Sequence, residues 1–285
     1  MKNINVEVIN ESHSDPAGMM MFVARLTQRG HNIKTMNDLK DLYDESLAKH
    51  TKAGVTAVAN LPHGSIKRYT PITIAIVGAS RRFLAQARTH QVGFNYTSAS
   101  LQYSNYTGAA QFVIPYAITK ADDTFNKQYI EDMHIRNVGV DFKHFDPNKK
   151  IYLDSCSSSM NAYKKLARST DNDTAGYAAP QGLRNVLIMQ GNIESWLYFI
   201  SLRGCSRNTD ETAYVTTLIW EELLKTNGGR ELFHYAGPKC LYGKCLEGKM
   251  SCGESMHKYI EMAENEACSI PRAIINDKWP LLNLY

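Results

Sequence analysis

Residues 193–205, IESWLYFISLRGC, read as a helix that is apolar nearly all round, through Trp196, Leu197, Phe199, Ile200 and Leu202. Such a helix has no face to turn to water, so the rest of the chain has to enclose it. A chain of 285 residues has enough material for one large core to do so. The few polar residues along this line are therefore informative. Asn192 and Arg203 are about three helical turns apart, which puts them on one face if the helix is continuous. Arg207 and Glu211 extend the line at intervals of four. A buried guanidinium needs a carboxylate or a phosphate. One reading is an Arg207–Glu211 ion pair joining two helices. The other gives Arg203 an anionic ligand, since its planar fork matches phosphate. Glu211 cannot neutralise both arginines, so the second stays open.

Asn3 to Ile9 alternates as a strand, and Ser14-Asp15-Pro16 starts a helix through Leu26. A second amphipathic helix is expected from Asn37 to about His50, and a weaker one from Thr51 to Leu61, ended by Pro62-His63-Gly64. Thr70 to Val77 reads as a buried strand, and Ser80 as the cap of a helix Arg81–His90. Phe94 to Tyr103 reads as extended or irregular, and Gln111 to Ile114 as a short strand. Thr119 opens an expected helix to about Met133, and 135–154 reads as a charged surface excursion carrying His144 and Asp146, with His134 beside it. Ser157–Arg168 is an expected helix, Arg184–Met189 a strand, and Asp210–Lys225 a further helix after the apolar one. No internal repeat or low-complexity linker divides the chain.

The net charge of +4 suits an anionic small ligand and falls short of a dedicated nucleic-acid binder. The longest apolar run, Ile72 to Ala79, is too short to cross a bilayer, and the first ten residues lack a secretory h-region. These features predict a cytoplasmic protein that binds neither nucleic acid nor membrane. All six cysteines lie in the second half, and reduced thiols are expected. Cys240, Cys245, Cys252 and His257 are types that could ligate zinc, but their spacing is looser than in standard zinc motifs, and no metal is expected.

Ser80–Ser104 is the second polar constellation: a helix with three arginines and a histidine running into a hydroxyl-rich loop. Taken with Asn192, Arg203 and Glu211, it resembles the flavin-dependent thymidylate synthase (ThyX) family. That family's signature is Arg-His-Arg, seven residues, then Ser-x-Arg-Tyr. The matching text is Thr89-His90-Gln91 and Ser100-Leu101-Gln102-Tyr103, with Gln86 at the upstream glutamine. His63-Gly64-Ser65-Ile66 resembles its His-x-Ser segment and Pro180 its Leu-Pro. The likeness spans roughly Val6 to Leu224. It is a divergent one. Both signature arginines are replaced, Arg88 lies one position upstream as a displaced charge, and eight residues instead of seven separate Gln91 from Ser100. Gln102 and Gly176 stand at positions of nucleotide-binding arginines, and Arg68-Tyr69 at a Glu-His pair.

The resemblance implies an α+β fold, an antiparallel sheet core flanked by helices, with a catalytic domain over 1–228. Residues 229–285 form a Cys-rich extension packed on that domain. It implies a homotetramer with active sites shared between subunits, FAD as cofactor, and methylenetetrahydrofolate and NADPH as co-substrates in the reductive methylation of dUMP to dTMP. By the same carry-over Gln86, Ser98, Ser100, Gln102, Arg203 and Arg207 hold the nucleotide. Arg88, Thr89, His90, Gln91 and Asn192 line the flavin, and Arg203 and Ser100 take the catalytic positions. The residue types suit these tasks: Arg203 can meet a phosphate or a developing negative charge, and the serines and amides are short directional donors and acceptors. No general base or covalent nucleophile is evident, and no His and acid stand where they would activate Ser100. Two other readings keep the fold: a flavoenzyme acting on dCMP or transferring a hydroxymethyl group, and a silent nucleotide-binding homologue.

Overall fold

The computed structural model describes residues 4–108, 110–121, 147–263 and 269–282. Four strands form one antiparallel sheet in the order β1-β2-β4-β3: Asn5–Glu11 (β1), Pro71–Ser80 (β2), Phe94–Ser98 (β3) and Arg184–Asn192 (β4). β2 is central, and its isoleucines share the face turned to the core. Ile72, Ile74 and Ile76 are fully buried, and it pairs with β1 on one edge and β4 on the other.

Helices flank the sheet. Before β2 come α1 (Pro16–Arg29), α2 (Met36–Ala48), α3 (Lys52–Ala59) and a 3₁₀ turn, Gly64–Lys67. Between β2 and β4 lie α4 (Arg81–Ala87), α5 (Tyr116–Ala121), α6 (Pro147–Ser169) and α7 (Asn172–Gly176). Beyond β4 run α8 (Ile193–Arg203), α9 (Asp210–Leu224) and four short helices, α10 to α13, between Gly229 and Lys278. The starts are set by side-chain caps: Asp15 accepts from Gly18 N, Thr35 forms a capping box with Asp38, and Ser80, Asn192 and Thr209 cap α4, α8 and α9.

The expected α+β architecture is present, with several shifts of boundary. Residues 111–114 make only one isolated bridge, Phe112 to Leu183, because Pro115 starts the turn into α5. The helix expected over 157–168 begins at Pro147, so the part of the expected excursion from 147 to 154 is helical. Residues 122–146, with most of the helix expected to Met133 and with His134, His144 and Asp146, lie outside the described residues. The tail after Gly228 is folded against the same core: Leu232, Phe233, Leu241, Tyr259 and Ile275 join the cluster that holds Trp196 and Ile72. Among the described residues no helix is long and apolar enough to cross a membrane.

The apolar helix α8 crosses this core. Trp196, Phe199 and Ile200 are fully buried, and the Trp196 indole donates to the Ile72 carbonyl at 3.2 Å. Phe94 reaches the same place from β3, edge-on to Trp196 at 4.8 Å between ring centres. It fits because its partner in the register, Gly191, has no side chain. A Cβ there would lie 2.4 Å from the Phe94 ring. Gly191→Val should therefore push Phe94 out of place and destabilise the fold by about 1–3 kcal/mol. Urea denaturation would read this as a lower midpoint at unchanged slope, and Phe94→Leu in the same chain should restore part of it.

Candidate functional site

Arg203 is the last residue of α8, and its guanidinium reaches back to the end of α4. Nε donates to His90 Nε2 at 2.7 Å, one Nη to Thr89 Oγ1 at 2.7 Å and, longer, to the Gln86 carbonyl at 3.4 Å. The other Nη donates to Asn208 Oδ1 at 3.1 Å. The Asn208 amide in turn donates to the carbonyls of Leu202 and Cys205, fixing the chain just past α8. Every acceptor is neutral. Among the described residues Arg203 has no carboxylate partner, so its positive charge is held in place and not cancelled.

This geometry also sets the protonation of His90. An Nε–H that donates to Nε2 requires a lone pair there, which places the imidazole proton on Nδ1. Burial, and then the Arg203 charge beside it, push the His90 pKa below the usual histidine value. The ring is held edge-on between Tyr198 and Phe199. Tyr96 supports the same corner, its hydroxyl lying within hydrogen-bond distance of the Ala87 and His90 carbonyls.

A cleft of about 950 Å³ opens beside this junction. That is at the upper end of the range for small-molecule and cofactor sites. Thr89, His90, Gln91, Asn192 and Arg203 all line it, so five of the expected site residues share one wall. Asn192 caps α8 through its Oδ1, which accepts from Ser195 N at 2.9 Å and from Ser195 Oγ at 3.0 Å. The chain turns tightly at Gly93, whose φ of +79° favours glycine and whose missing Cβ leaves room for the Ser195 hydroxyl. Phe94, Leu197, Tyr198 and Leu202 supply apolar wall. Lys67, Arg68 and Glu194 close the other end, with Arg68 ion-paired to Glu194.

The expectation that α8 is wholly enclosed is corrected here. Its inner face is core, but Leu197 and Leu202 are partly open and Tyr198 is exposed, because these three line the cleft. The Arg207–Glu211 ion pair is not formed either. The helix ends at Arg203, Thr209 caps a new one, and Glu211 instead accepts from Ser80 N at 2.7 Å and Ser80 Oγ at 2.5 Å. Arg207 is exposed and does not line the cleft.

The other expected residues lie outside this cleft. Arg88 donates to Ser98 Oγ at 2.5 Å, so the displaced arginine serves the end of β3 and does not line the cleft. Ser100 Oγ accepts from Gln102 N at 3.0 Å, and Leu101 between them packs on Gly176. Gln86 turns its side chain to Thr212, at 3.0 Å, behind Arg203. The cysteine tail does not gather: Cys240 is buried, Cys245 exposed, Cys252 Sγ contacts the Glu254 carbonyl and His257 Nδ1 the Leu241 carbonyl. Among the described residues no three His, Cys, Asp or Glu side chains are grouped to hold a metal. Sequence reasoning missed Lys67, Glu194, Ser195 and Tyr198 as cleft residues, and it placed Arg68 in no site. A cation after the Pro62-His63-Gly64 break and an acid two residues after Asn192 were the available signals.

Comparison with known proteins places this cleft in context. Residues 7–226 match the sequence model of the Thy1 family, described as thymidylate synthase complementing protein. A flavin-dependent thymidylate synthase of Clostridium tetani is 26% identical over 255 residues, covering 89% of this chain and 96% of that protein. One from Geobacter sulfurreducens is 22% identical over 244 residues, covering 85% and 90%. Among solved structures, ThyX of Helicobacter pylori with FAD and dUMP superposes with a TM-score of 0.56 at 17% identity, over 82% of this chain and 98% of that one. A UMP/dUMP methylase, PolB of Streptomyces cacaoi with 5-Br dUMP, gives 0.56 at 17% identity, over 83% and 97%.

The Arg203–His90 bond makes stability depend on pH with a definite sign. The His90 pKa is lower folded than unfolded, so between the two values the unfolded chain binds more protons and stability rises with pH. Stability should fall as pH drops below about 6.5, because the unfolded histidine takes a proton that folded His90, holding its lone pair to Arg203, resists. His90→Gln, which keeps an acceptor but cannot titrate, should flatten this part of a thermal-melt profile; an unchanged slope would assign the loss to other groups.

Proposed function

Because this chain belongs to the Thy1 family of thymidylate synthase complementing proteins, we propose that it is a flavin-dependent thymidylate synthase, converting dUMP to dTMP with FAD bound in the cleft beside Arg203. The observation that carries this reading is the Arg203–His90–Thr89 junction. It joins the two constellations of the sequence and sets Thr89, His90, Gln91, Asn192 and Arg203 around one cavity. The cavity suits the group: it has flavin-scale volume, apolar and aromatic walls for a planar ring, and more cations than carboxylates.

In this reading the bound flavin supplies the redox chemistry, with methylenetetrahydrofolate as carbon donor and NADPH as hydride source. The chain supplies orientation and charge. Thr89 and Gln91 would hold the flavin with hydroxyl and amide groups beside neutral His90, and Asn192 would line the site from the other end of α8. Arg203, pre-set by neutral acceptors, stabilises negative charge on the nucleotide without moving to do so. Gln86, Ser98, Ser100 and Gln102, with Arg88, form the nucleotide side, where Ser100 acts by hydrogen bonding. That this group lies outside the cleft of the same chain supports a homotetramer whose sites combine residues of different subunits. The catalytic unit spans 1–228, with 229–285 as an extension on the same core.

A second reading, action on another pyrimidine nucleotide, is favoured by the uncharged Gln102 and Gly176 where the family resemblance places arginines. Two measurements separate these. Purified protein should be yellow or bind added FAD, and should release tritium from C5-labelled deoxyuridylate with folate and NADPH. Turnover of deoxycytidylate alone would move the assignment to the second reading, and a protein indifferent to FAD would end both. Arg203→Ala should lower turnover about 100-fold or more and lower the melting temperature moderately, since charge-assisted hydrogen bonds to His90, Thr89 and Asn208 are lost. A large loss of stability with intact nucleotide binding would give Arg203 a structural role instead.

A further inference from the structure

The signature that this chain resembles flanks its histidine with arginines; here the flanks, Thr89 and Gln91, bring no charge to the cleft they line. The cleft is nonetheless cationic. Lys67, Arg68 and Arg203 line it against one carboxylate, Glu194, with His90 neutral, a formal balance of +2. Two of the three cations enter from the 3₁₀ turn Gly64–Lys67 and the residue after it, a segment remote in sequence from the triplet.

Lys67 is the unusual member. The residue is only 8% exposed, and its ammonium donates to the carbonyls of Leu61 at 2.8 Å and Ala59 at 3.1 Å, at the end of α3. An ammonium has three donors, so one remains that no described residue takes. Among the described residues it has no ion pair of its own, and the nearby carboxylate of Glu194 is bonded to Arg68. Burial pulls the Lys67 pKa down, with Glu194 pulling it back up, as for a cation short of counter-charge. The N-terminus of α8, with its partial positive charge, lies at the same end of the cleft through Asn192, Glu194 and Ser195.

Glu194 and Arg203 sit near the two ends of α8, about 14 Å apart at 1.5 Å of rise per residue. Between them the wall is Leu197, Tyr198 and Leu202. The cleft is thus an elongated slot with a charged group at each end and an apolar middle. It fits a ligand with a planar ring toward Arg203 and His90 and a dianionic group toward Lys67.

We propose that Lys67, with Arg68 beside it, is the anion-binding end of the cleft and takes the diphosphate of FAD, replacing the charge that Thr89 and Gln91 do not provide. The assignment rests on the flavin reading of the cleft. Its consequence is selectivity: FAD gains from this end of the site, and riboflavin, which has no phosphate, does not.

The test is a fluorescence titration of the full chain with FAD and with riboflavin, for wild type, Lys67→Met, Lys67→Arg and Arg68→Gln, with ligand-free thermal melts to confirm folding. Loss of one charge-assisted hydrogen bond should weaken FAD about 10- to 100-fold in Lys67→Met. Riboflavin affinity should stay as in wild type, and Lys67→Arg should recover most of the FAD affinity. Added salt should weaken FAD more than riboflavin in wild type. Equal FAD affinity in wild type and Lys67→Met, or equal loss of FAD and riboflavin, overturns the proposal while leaving the flavin reading intact. Wild type that binds neither ligand overturns the flavin reading itself. Should Lys67→Met fail to fold, the wild-type salt dependence and Arg68→Gln, altered at an exposed side chain, decide: identical behaviour toward both ligands overturns the assignment.

Discussion

The guanidinium of Arg203 is satisfied entirely by neutral groups, and much of the site depends on that. Thr89, His90, the Gln86 carbonyl and Asn208 take its donors, so the group is oriented without being neutralised. Had Glu211 been its partner, the arginine would be a structural ion pair and the cleft would lose its fixed charge. Glu211 is kept away by its own bonds to Ser80, the residue that caps α4. The cap of one helix thus helps to leave an arginine on another free of a carboxylate. The same contacts tie the end of α8 to the end of α4, and the cleft is the space between that tie and the Arg68–Glu194 pair.

An apolar helix with two apolar faces has two things to cover. In α8 the inner face is closed by the sheet and by Phe94, which occupies the room left by Gly191. The outer face, Leu197, Tyr198 and Leu202, lines the cleft. Excess apolar surface on a buried helix, beyond what the core needs, is itself a sign of a ligand wall. The polar residues at its two ends, Asn192 and Arg203, then mark the length of the slot. Asn192 has a double duty there, as helix cap and as part of the wall, so its side chain has one available orientation.

Legibility in the sequence followed the range of the interactions. Local rules were enough for β1, β2, β4 and most of the larger helices, because alternation, apolar spacing and caps such as Asp15 and Ser80 act within a few residues. The gathering of Thr89, His90, Gln91, Asn192 and Arg203 was legible only through spacing shared with a family, since the contacts span more than a hundred residues. Where no such pattern existed, reading failed. The Arg68–Glu194 pair joins the turn after α3 to the start of α8, and a cation after a chain break and an acid after Asn192 do not by themselves say that the two meet. The expected Arg207–Glu211 pair failed for the opposite reason: a spacing of four implies contact only within one helix, and here Arg207 lies in the joint before Thr209 starts the next.

The changed signature and the retained cleft are reconciled by asking what an anion senses. A phosphate in a cavity responds to the field of the whole lining, and a cation on one wall acts on it much as a cation on the facing wall does, provided both are shielded from water. The positions of the charges can therefore migrate in sequence while the balance of the cavity is kept. Thr89 and Gln91 retain hydrogen-bonding capacity without charge. Lys67 and Arg68 bring charge from across the cleft, and Glu194 pairs only with the more exposed of the two. His90 is the fixed point of this exchange. It must stay neutral to accept from Arg203, and burial together with the Arg203 charge makes its protonation harder. Arg203 and the neutral tautomer of His90 hold one another in place, so the histidine of the triplet keeps its task although neither Thr89 nor Gln91 beside it carries a charge.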